Sequence, residues 1–384
     1  MNKNVPKLRF KEFSDEWKKG KLGDISKIIM GQSPSSNAYN DNKEGLPLVQ
    51  GNADITKRIT TPRMYTSEVT KTCEIEDIIM SVRAPVGSIA ISNQVCCIGR
   101  GVCSIKARNI NQKYLYQVLL DYESKWSKIS QGSTFESINS NDIKGLILNI
   151  PSLQEQEKIA DFFTILDSLI EEQEGKVRDL KIYKKGMMQK IFKQEIRFKD
   201  DNGLDYPEWE EKKILEIFAI TRGQVIAKTS ISPIKTDKSI YPVYSSQTSN
   251  YGILGYDSSY DFDGEFLTWT TDGANAGKVF KRNGKFRCTN VCGLLVEKDI
   301  TKGFANVCIK EILEKETPKH VSYVGNPKLM NGVMGDIKIK IPCLEEQTKI
   351  ANFLSNIDSL IEEEQKNLDD LREMKKGLLQ QMFV

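Results

Sequence analysis

Few residues of this chain have the types and spacing that catalysis requires. The 384 residues contain a single histidine, His320, which excludes multi-histidine metal sites and the HExxH zinc motif and argues against most common hydrolase mechanisms. Residues 273–278 resemble a phosphate-binding loop. However, they have three residues between the glycines instead of four, and Val279 stands where such a loop needs Ser or Thr. The sequence therefore predicts no catalytic residue and no metal site.

The cysteines do not change this conclusion. Eight are spread along the chain, without a CxxC pair and without a histidine at ligand spacing. Zinc sites normally show such spacing, so reduced and packed thiols are expected instead. No function is assigned to them.

Local patterns rather than overall charge must decide whether the chain binds a polyanion. Its 55 Lys and Arg residues nearly balance 52 Asp and Glu residues, so nucleic acid could be held only by a local basic patch. With 39% hydrophobic and 28% charged residues, the composition is typical of a globular protein of two or three domains. No apolar run approaches the roughly 18 residues that a membrane span needs, so no membrane contact and a cytoplasmic location are expected.

Polar loops are the remaining candidates for chemistry, because base reading needs Asn, Gln, Arg, Ser or Thr side chains that can enter a groove. They lie in two stretches rich in short β-type runs, 20–148 and 210–340, which we call the two bodies. Any one loop taken alone is more typical of a solvated turn. Their occurrence at similar places in both bodies favours DNA binding. The candidate residues are Gln50, Asn52, Arg83, Gln131, Ser133, Ser246, Gln247, Asn250, Asp272, Asn275, Lys281 and Arg282.

The elements that must position these loops belong to an internal repeat. Residues 150–192 and 341–383 align without a gap at a constant shift of 191, with 22 identities in 43 positions. A basic lead-in precedes each body, because Arg9 and Trp17 return as Arg197 and Trp209. One unit is therefore used twice, over 9–192 and 197–383, and each copy has a lead-in, a body and a charged tail.

Each tail is predicted to be a long helix. Pro151, Ser152 and Glu155 form a helix start with a capping box. Apolar residues then recur three and four positions apart, as in a coiled-coil seam, and both copies are polar in the middle. This pattern favours antiparallel pairing of the two helices, and the alternative is two unrelated surface helices. Each helix would be ~60 Å long at 1.5 Å per residue. The seam residues are Ile159, Phe162, Leu166, Leu169, Leu180, Tyr183 and Met187 in the first copy and Ile350, Phe353, Ile357, Leu360, Leu371, Met374 and Leu378 in the second.

Charge is unevenly distributed along the first tail. Residues 176–199 carry nine Lys and Arg residues and two acids. This basic stretch could approach a DNA backbone, and the alternative is a solvated helix face.

The duplicated helix, the lead-in and a run in the second body together resemble the DNA specificity (S) subunit of type I restriction–modification systems. The second lead-in departs from the pattern at 215–216, and the first body matches the start of the run only as 46–49. The resemblance covers essentially the whole chain. Besides the helix, it rests on Trp17, Leu22, Asp24, Ile25, residues 241–246, residues 255–257, residues 263–265, Asp272, Gly273 and Gly277.

This resemblance implies an α+β fold with a pseudo-twofold internal repeat. Two mixed α/β target recognition domains, 1–149 and 193–340, would be joined by two long antiparallel coiled-coil helices, 150–192 and 341–384. Each domain would read one half of a bipartite asymmetric site in double-stranded DNA. The helices would hold the domains apart and dock two adenine-methyltransferase (M) subunits, and restriction/translocase (R) subunits would join the complex.

The expected docking surface follows from the repeat. Two copies of one partner must meet two copies of one surface, so identical residues in the two helices are candidates. These are Glu155, Gln156, Ile159, Glu346, Gln347 and Ile350.

Catalysis is expected to belong to the partners. No Asn-Pro-Pro-Tyr or Asp-Pro-Pro-Tyr motif of adenine methyltransferases occurs, and the one nuclease-like grouping, Asp205 with 210–212, lies in a lead-in. The chain is therefore expected to be a non-catalytic DNA-binding subunit without a cofactor of its own, while S-adenosylmethionine, ATP and Mg²⁺ belong to partner subunits. The alternatives are a coiled-coil scaffold that does not bind DNA and a fused restriction enzyme.

Overall fold

A computed structural model describes residues 5–130 and 137–383, apart from the side chains of 127–130 and 301. The chain forms two compact units. Unit 1 contains residues 1–175 together with 365–384, and unit 2 contains residues 176–364. Each unit thus takes its own body, the first half of the helix that follows it and the second half of the other long helix, so the units do not end where a body meets a helix.

Unit 1 is an α+β unit with two larger sheets and one strand pair. The larger sheets have the orders β2-β12-β9-β10-β6-β5 and β3-β7-β4-β11-β8, and β1 pairs with β13. The strands are β1 (Lys18–Lys21), β2 (Ser26–Met30), β3 (Tyr39–Asn40), β4 (Leu46–Val49), β5 (Ile55–Thr56), β6 (Ile59–Thr60), β7 (Met64–Thr66), β8 (Thr72–Cys73), β9 (Ile78–Ser81), β10 (Ile89–Ile91), β11 (Cys96–Ile98), β12 (Val102–Ala107) and β13 (Ile147–Ile150). The helices are α1 (Leu22–Ile25), α2 (Gln112–Ser130), α3 (Ser140–Lys144) and α4 (Leu153–Phe192), of which the last continues into unit 2.

The core of unit 1 lies between the sheet, α2 and the start of α4. Strand β9 is buried at all four positions, as expected for an apolar run in the interior of a sheet. Tyr114 and Trp126 from α2 and Phe163 from α4 are among the largest buried side chains. The first half of α4 is therefore a core element of its own unit.

Unit 2 follows the same plan with fewer strands. Its sheets have the orders β15-β21-β18-β19 and β17-β16-β20, and β14 pairs with β22. The strands are β14 (Glu210–Lys213), β15 (Phe218–Arg222), β16 (Tyr241–Tyr244), β17 (Ile253–Asp257), β18 (Glu265–Thr270), β19 (Val279–Asn283), β20 (Arg287–Cys288), β21 (Cys292–Glu297) and β22 (Lys338–Ile341). The helices are α5 (Ile214–Ile217), α6 (Val307–Glu316), α7 (Asn331–Asp336) and α8 (Leu344–Met382), the last continuing into unit 1.

A buried tryptophan organises the core of unit 2. Trp269 is fully buried, and its indole N–H donates to the carbonyl of Leu329 at 3.0 Å. Gly293 on the neighbouring strand has no room for a side chain, because a Cβ there would lie 2.3 Å from the Trp269 ring. The close approach of this strand to the indole requires glycine.

The two long helices pack antiparallel within each unit. In unit 1, Phe163 of α4 stacks on Phe383, just beyond the end of α8, at a ring distance of 5.9 Å, and Arg372 pairs with Glu174 at 2.7 Å. In unit 2, Lys184 of α4 binds both carboxylate oxygens of Asp358 of α8, at 2.6 and 2.7 Å. The predicted fold class, with two α+β copies and long antiparallel helices, is confirmed.

The predicted seam is only partly right. Ile159, Leu166, Ile350 and Ile357 are buried, whereas Leu169, Leu360, Tyr183 and Met374 are exposed. Gln173, expected to be a polar interruption, is buried, as are Val177 and Leu368. The buried face of each helix is set as much by its own body as by the other helix, so a strict coiled-coil repeat does not describe it.

Candidate nucleic-acid interface

Three loops of unit 2 meet at one end of its sheets. They are residues 245–252, 271–277 and 322–328, which we call the rim of unit 2. The Asn275 side-chain amide donates to the hydroxyl of Thr248 at 3.1 Å, which joins the first loop to the second. Asp272 forms a backbone bridge with Lys328, and the Gly273 amide donates to the carbonyl of Pro327 at 3.0 Å. The structure thus brings five of the predicted residues together: Ser246, Gln247, Asn250, Asp272 and Asn275.

These five residues divide into holders and exposed groups. The Ser246 hydroxyl donates to the carbonyl of Val291, and the Gln247 amide donates to the carbonyl of Ile253, so both side chains hold their loop. Asp272 is half-buried and accepts a hydrogen bond from the hydroxyl of Thr271 at 3.1 Å. Asn250 and Asn275 are exposed. Of the five, they are the better placed to meet a base edge.

Arg282 and Lys281 do not lie on the rim loops. The expectation that Arg282 is an exposed loop residue is wrong. Arg282 on β19 is only 4% exposed, because its side chain packs against aromatic rings. Its guanidinium lies over the ring of Tyr244 at 3.6 Å and near that of Phe280 at 4.4 Å. Burial lowers its pKa. Lys281 on the same strand pairs with Glu265 at 2.8 Å.

The predicted residues of unit 1 lie along a comparable edge. Gln50 packs on the turn at Gly101, where a Cβ would lie 2.1 Å from the Gln50 carbonyl oxygen. The Gly101 carbonyl accepts from the amide of Val82, beside the exposed Arg83. Arg83 forms a backbone bridge with Ser137. Gln50, the neighbouring half-buried Asn52 and Arg83 are therefore close in space, while Gln131 and Ser133 lie outside the described residues.

The residues expected to dock the methyltransferase subunits are buried inside their own units. Glu155 is 1% exposed, and Arg9 donates to both of its carboxylate oxygens at 2.7 and 2.8 Å. In unit 2, Arg197 donates to both oxygens of Glu346 at 3.2 and 2.8 Å, and the Trp209 indole donates to it at 3.1 Å. These hydrogen bonds raise the pKa of Arg9 and of Arg197. We call the two ion pairs the clamps, since each joins a lead-in to the start of a long helix.

The neighbouring glutamines complete the clamps. Gln156 donates to the carbonyl of Pro151 at 2.9 Å and accepts from the amide of Asn111 at 2.8 Å. Gln347 donates to the carbonyl of Pro342 at 2.8 Å and accepts from the side chain of Asn306 at 3.0 Å. Ile159 and Ile350 are also buried. The side chains of all six predicted docking residues are thus enclosed within the chain, and internal bonding accounts for their identity in the two copies.

Sequence reasoning missed a basic groove in unit 2. A cavity of about 720 Å³ separates the end of α4 from α6 and is lined by six lysines and two glutamates over an apolar floor. Burial lowers the pKa of one of these lysines, Lys278, and nearby Lys310 lowers it further. One wall of the groove was indicated by the basic stretch 176–199. The other wall comes from residues distant in sequence, and no local pattern indicated it. The lining residues are Lys181, Lys184, Lys185, Met188, Gln189, Phe192, Lys278, Lys310, Glu311, Glu314 and Lys315.

The cysteines are thiols, and seven of the eight are buried. Burial raises the pKa of Cys103 to about 12. Among the described residues, no three His, Cys, Asp or Glu side chains are grouped so as to hold a metal ion. Within the same part of the chain, no helix is long and apolar enough to cross a membrane.

Comparisons with known proteins agree with this architecture. The family model described as "Type I restriction modification DNA specificity domain" matches residues 14–180 and 206–372. A relative from Methanocaldococcus jannaschii, named for the specificity subunit of the type I restriction enzyme MjaX, is 33% identical over 202 residues, which are 52% of this chain and 48% of that protein. The chain thus spans about half of that relative's length. The type I restriction enzyme MpnII specificity subunit of Mycoplasma pneumoniae is 40% identical over 153 residues, which are 40% of this chain and 44% of that protein.

A solved structure shows the same fold over nearly the whole chain. The crystal structure of the S subunit of a type I restriction–modification system from M. genitalium matches 99% of both chains, with a TM-score of 0.62 and 16% identity. The family model covers most of the chain in two copies, one for each unit. The chain belongs to the DNA specificity family of type I restriction–modification systems.

Proposed function

We propose that this chain recognises a bipartite asymmetric site in double-stranded DNA, with the body of unit 1 reading one half and the body of unit 2 the other. The observation that carries this proposal is that the two units share their supporting contacts but differ in their exposed loops. Both units have the same clamp at the start of a long helix, but the residues at their loop edges differ. Two readers built on one plan with different contact residues suit a site whose halves differ in sequence.

The exposed polar groups match the chemistry of base reading. The amides of Asn250 and Asn275 could each donate to and accept from an adenine edge in the major groove. In unit 1, the exposed Arg83 could donate two hydrogen bonds to guanine. Lysines and arginines near the loops would contact phosphates, which set the register without reading sequence.

We place the docking of two M subunits on exposed positions that recur in both helices. Leu169 and Leu360 are matched by the repeat, and each is 47% exposed. Leu153 and Leu344 form a second matched and exposed pair. Exposed leucines at equivalent positions give two matching apolar contact sites, as two copies of one partner require.

Substitution of the matched leucines tests the docking proposal. We expect Leu169→Glu or Leu360→Glu alone to leave one M subunit bound and the double variant to leave none, because a carboxylate would be buried unpaired in each interface. The mass of the co-purified complex gives the count. Ile182→Glu is a matched control, since Ile182 is also exposed, at 62%, and its mate in α8 is already Glu373. A double variant that retains both M subunits would contradict the docking surface.

Mapping of methylated adenines tests the function itself. In cells that carry the partner subunits, we expect adenine methylation in one bipartite motif that disappears when this chain is deleted. R subunits would add cleavage at unmodified sites, and this chemistry, with its S-adenosylmethionine, ATP and Mg²⁺, would belong to the partners. A cytoplasmic location remains a prediction. A methylation pattern unchanged by the deletion would contradict the proposal.

A further inference from the structure

The first rim loop of unit 2 has an unusual backbone. Asn250 and Tyr251 are consecutive residues in the left-handed region, with φ of 47° and 52°, and Gly252 follows with φ of 83°. Side chains other than glycine and asparagine disfavour this region, and tyrosine gains nothing from it locally. Such a conformation persists only where surrounding contacts impose it, and these positions cluster at functional sites.

Three hydrogen bonds impose it here. The Ser245 amide donates to the carbonyl of Gly252 at 3.1 Å, and the Gln247 side chain donates to the carbonyl of Ile253. The third comes from Arg282, whose Nη1 donates to the carbonyl of Tyr251 at 2.7 Å. The loop is therefore fixed at its base and also at the residue with the strained backbone.

Use of Arg282 for this purpose requires the burial of a charged side chain. It is buried between two aromatic rings, its Nε donates to the hydroxyl of Thr268 at 3.0 Å, and its Nη2 has no hydrogen-bond partner. In the described part of the chain, it forms no ion pair with a carboxylate. A buried cation without a counter-charge destabilises a fold, so a simple packing role would be better served by an apolar residue.

The strained loop holds a large aromatic ring in solvent. Tyr251 is 77% exposed, although its backbone carbonyl is held by Arg282. The 322–328 loop, joined to it through the 271–277 loop, presents a second tyrosine, Tyr323, which is 69% exposed. Aromatic rings exposed to water beside exposed amides are suited to stack on bases or to enter a base step.

We propose that Tyr251 makes a direct ring contact with the bases of the half-site that unit 2 reads, and that Arg282 is the positioning residue that holds it there. This inference rests on the proposed function. A tyrosine ring offers little sequence-specific hydrogen bonding, so its contribution is to select base steps that unstack easily. The exposed amides of Asn250 and Asn275, on the same rim, then read the edges of neighbouring bases.

The test is DNA binding by the chain in complex with its M subunits, measured by fluorescence anisotropy. The probes are a duplex with the mapped methylation target and two duplexes in which one or the other half-site is scrambled. Tyr251→Ala should weaken binding to the intact target about tenfold to hundredfold, and Tyr251→Phe, which keeps the ring, should stay within about threefold of the original. Tyr260→Ala, at another exposed tyrosine of unit 2 outside the rim, is the control and should also stay within about threefold.

A double-variant comparison tests the role of Arg282. Arg282→Lys keeps the charge but loses the planar fork, so it should weaken binding in the same direction as Tyr251→Ala. The variant with both changes should bind no more weakly than Tyr251→Ala alone, because Arg282 acts through Tyr251. Additive losses would show that Arg282 only supports the fold, and this would overturn its positioning role.

The remaining outcomes separate the two proposals. If Tyr251→Ala binds like the original chain while scrambling the unit 2 half-site abolishes specific binding, the ring contact is wrong and the proposed function stands. If scrambling either half-site leaves binding unchanged, the proposed function fails and the ring contact fails with it. Because Tyr251 is largely exposed, a folding defect in Tyr251→Ala is not expected, and an unchanged melting temperature checks this.

Discussion

The two units use the same helix end in different ways. In unit 1, Phe383 just beyond the end of α8 lies 5.7 Å from the ring of Tyr114 and 5.9 Å from that of Phe163, and it packs half-buried against the core. Its mate in unit 2, Phe192 at the end of α4, also packs half-buried against the core, but its ring lies 6.4 Å from that of Trp209 in the lead-in and it lines the lysine-rich groove. The clamps are alike in both units. The repeat therefore preserves what holds a long helix to its unit, and the bodies are free to change everything around it.

Exchange of a whole body is the strongest test of this division. Replacement of residues 20–148 by the body of another family member should change one half of the recognised sequence and leave the other half intact, since each body has its own core. Loss of the correct half-site typically costs about a thousandfold or more in specific binding. Methylation mapping reads out both halves at once. Alteration of both halves would show that the bodies are not independent readers.

Loss of a clamp should be the largest effect on stability. Glu155→Ala leaves Arg9 without its partner in a nearly closed site, and removal of one member of a buried pair costs about 3 kcal/mol. Glu346→Ala in unit 2 should cost a similar amount. Urea unfolding measures both, and Glu157→Ala, at an exposed position on the same helix, is the matched control with a change near zero. If either clamp variant is as stable as this control, the two clamps do not stabilise their units equally.

Shortening both helices together tests their proposed role as a spacer. Deletion of 179–182 together with 370–373 removes about one turn from each helix, or ~6 Å, which corresponds to somewhat under two base pairs. We expect a shorter spacer in the methylated motif, or loss of activity if the half-sites can no longer rotate into place. The deletion also removes Arg372, the partner of Glu174. Methylation of the original site at the original rate would exclude the spacer role.

The groove should give the smallest effect. If its lysines contact phosphates, Lys185→Gln should reduce the slope of log affinity against log salt by about 0.9, the change expected for one lost contact. Its mate in unit 1 is Lys376, and Lys376→Gln should leave the slope unchanged. Salt titrations of DNA binding compare the two variants directly. Equal slopes would mean that the groove adds no phosphate contact.

The repeat and its helices were predictable because they depend on local periodicity. The similarity of 150–192 to 341–383 and the helix start near Pro151 can both be read from the sequence alone. The phase of the seam was not predictable beyond its first turns. Leu169 and Leu360 have seam spacing but are exposed, whereas Gln173 is buried, because the body of each unit competes with the other helix for the apolar face.

The loops were predictable as a set, but their individual roles were not. Arg282 looks like an exposed residue of a basic turn, yet β19 continues through it, and its aromatic partner Tyr244 lies on another strand far earlier in the chain. Identity between the two copies predicts a docking surface at Glu155 and Glu346. It reflects instead a buried contact with an arginine nearly 150 residues away, which no local pattern contains.

The division of the long helices has a consequence for biosynthesis. Unit 2 is a continuous stretch of chain, residues 176–364, and all of it has been made before residues 365–384 are added. Unit 1 needs those residues, because the rings of Tyr114 and Phe163 pack against Phe383. The part synthesised first is therefore completed only after unit 2, and the surface of unit 1 that residues 365–384 cover stays exposed on the ribosome until those residues have been made.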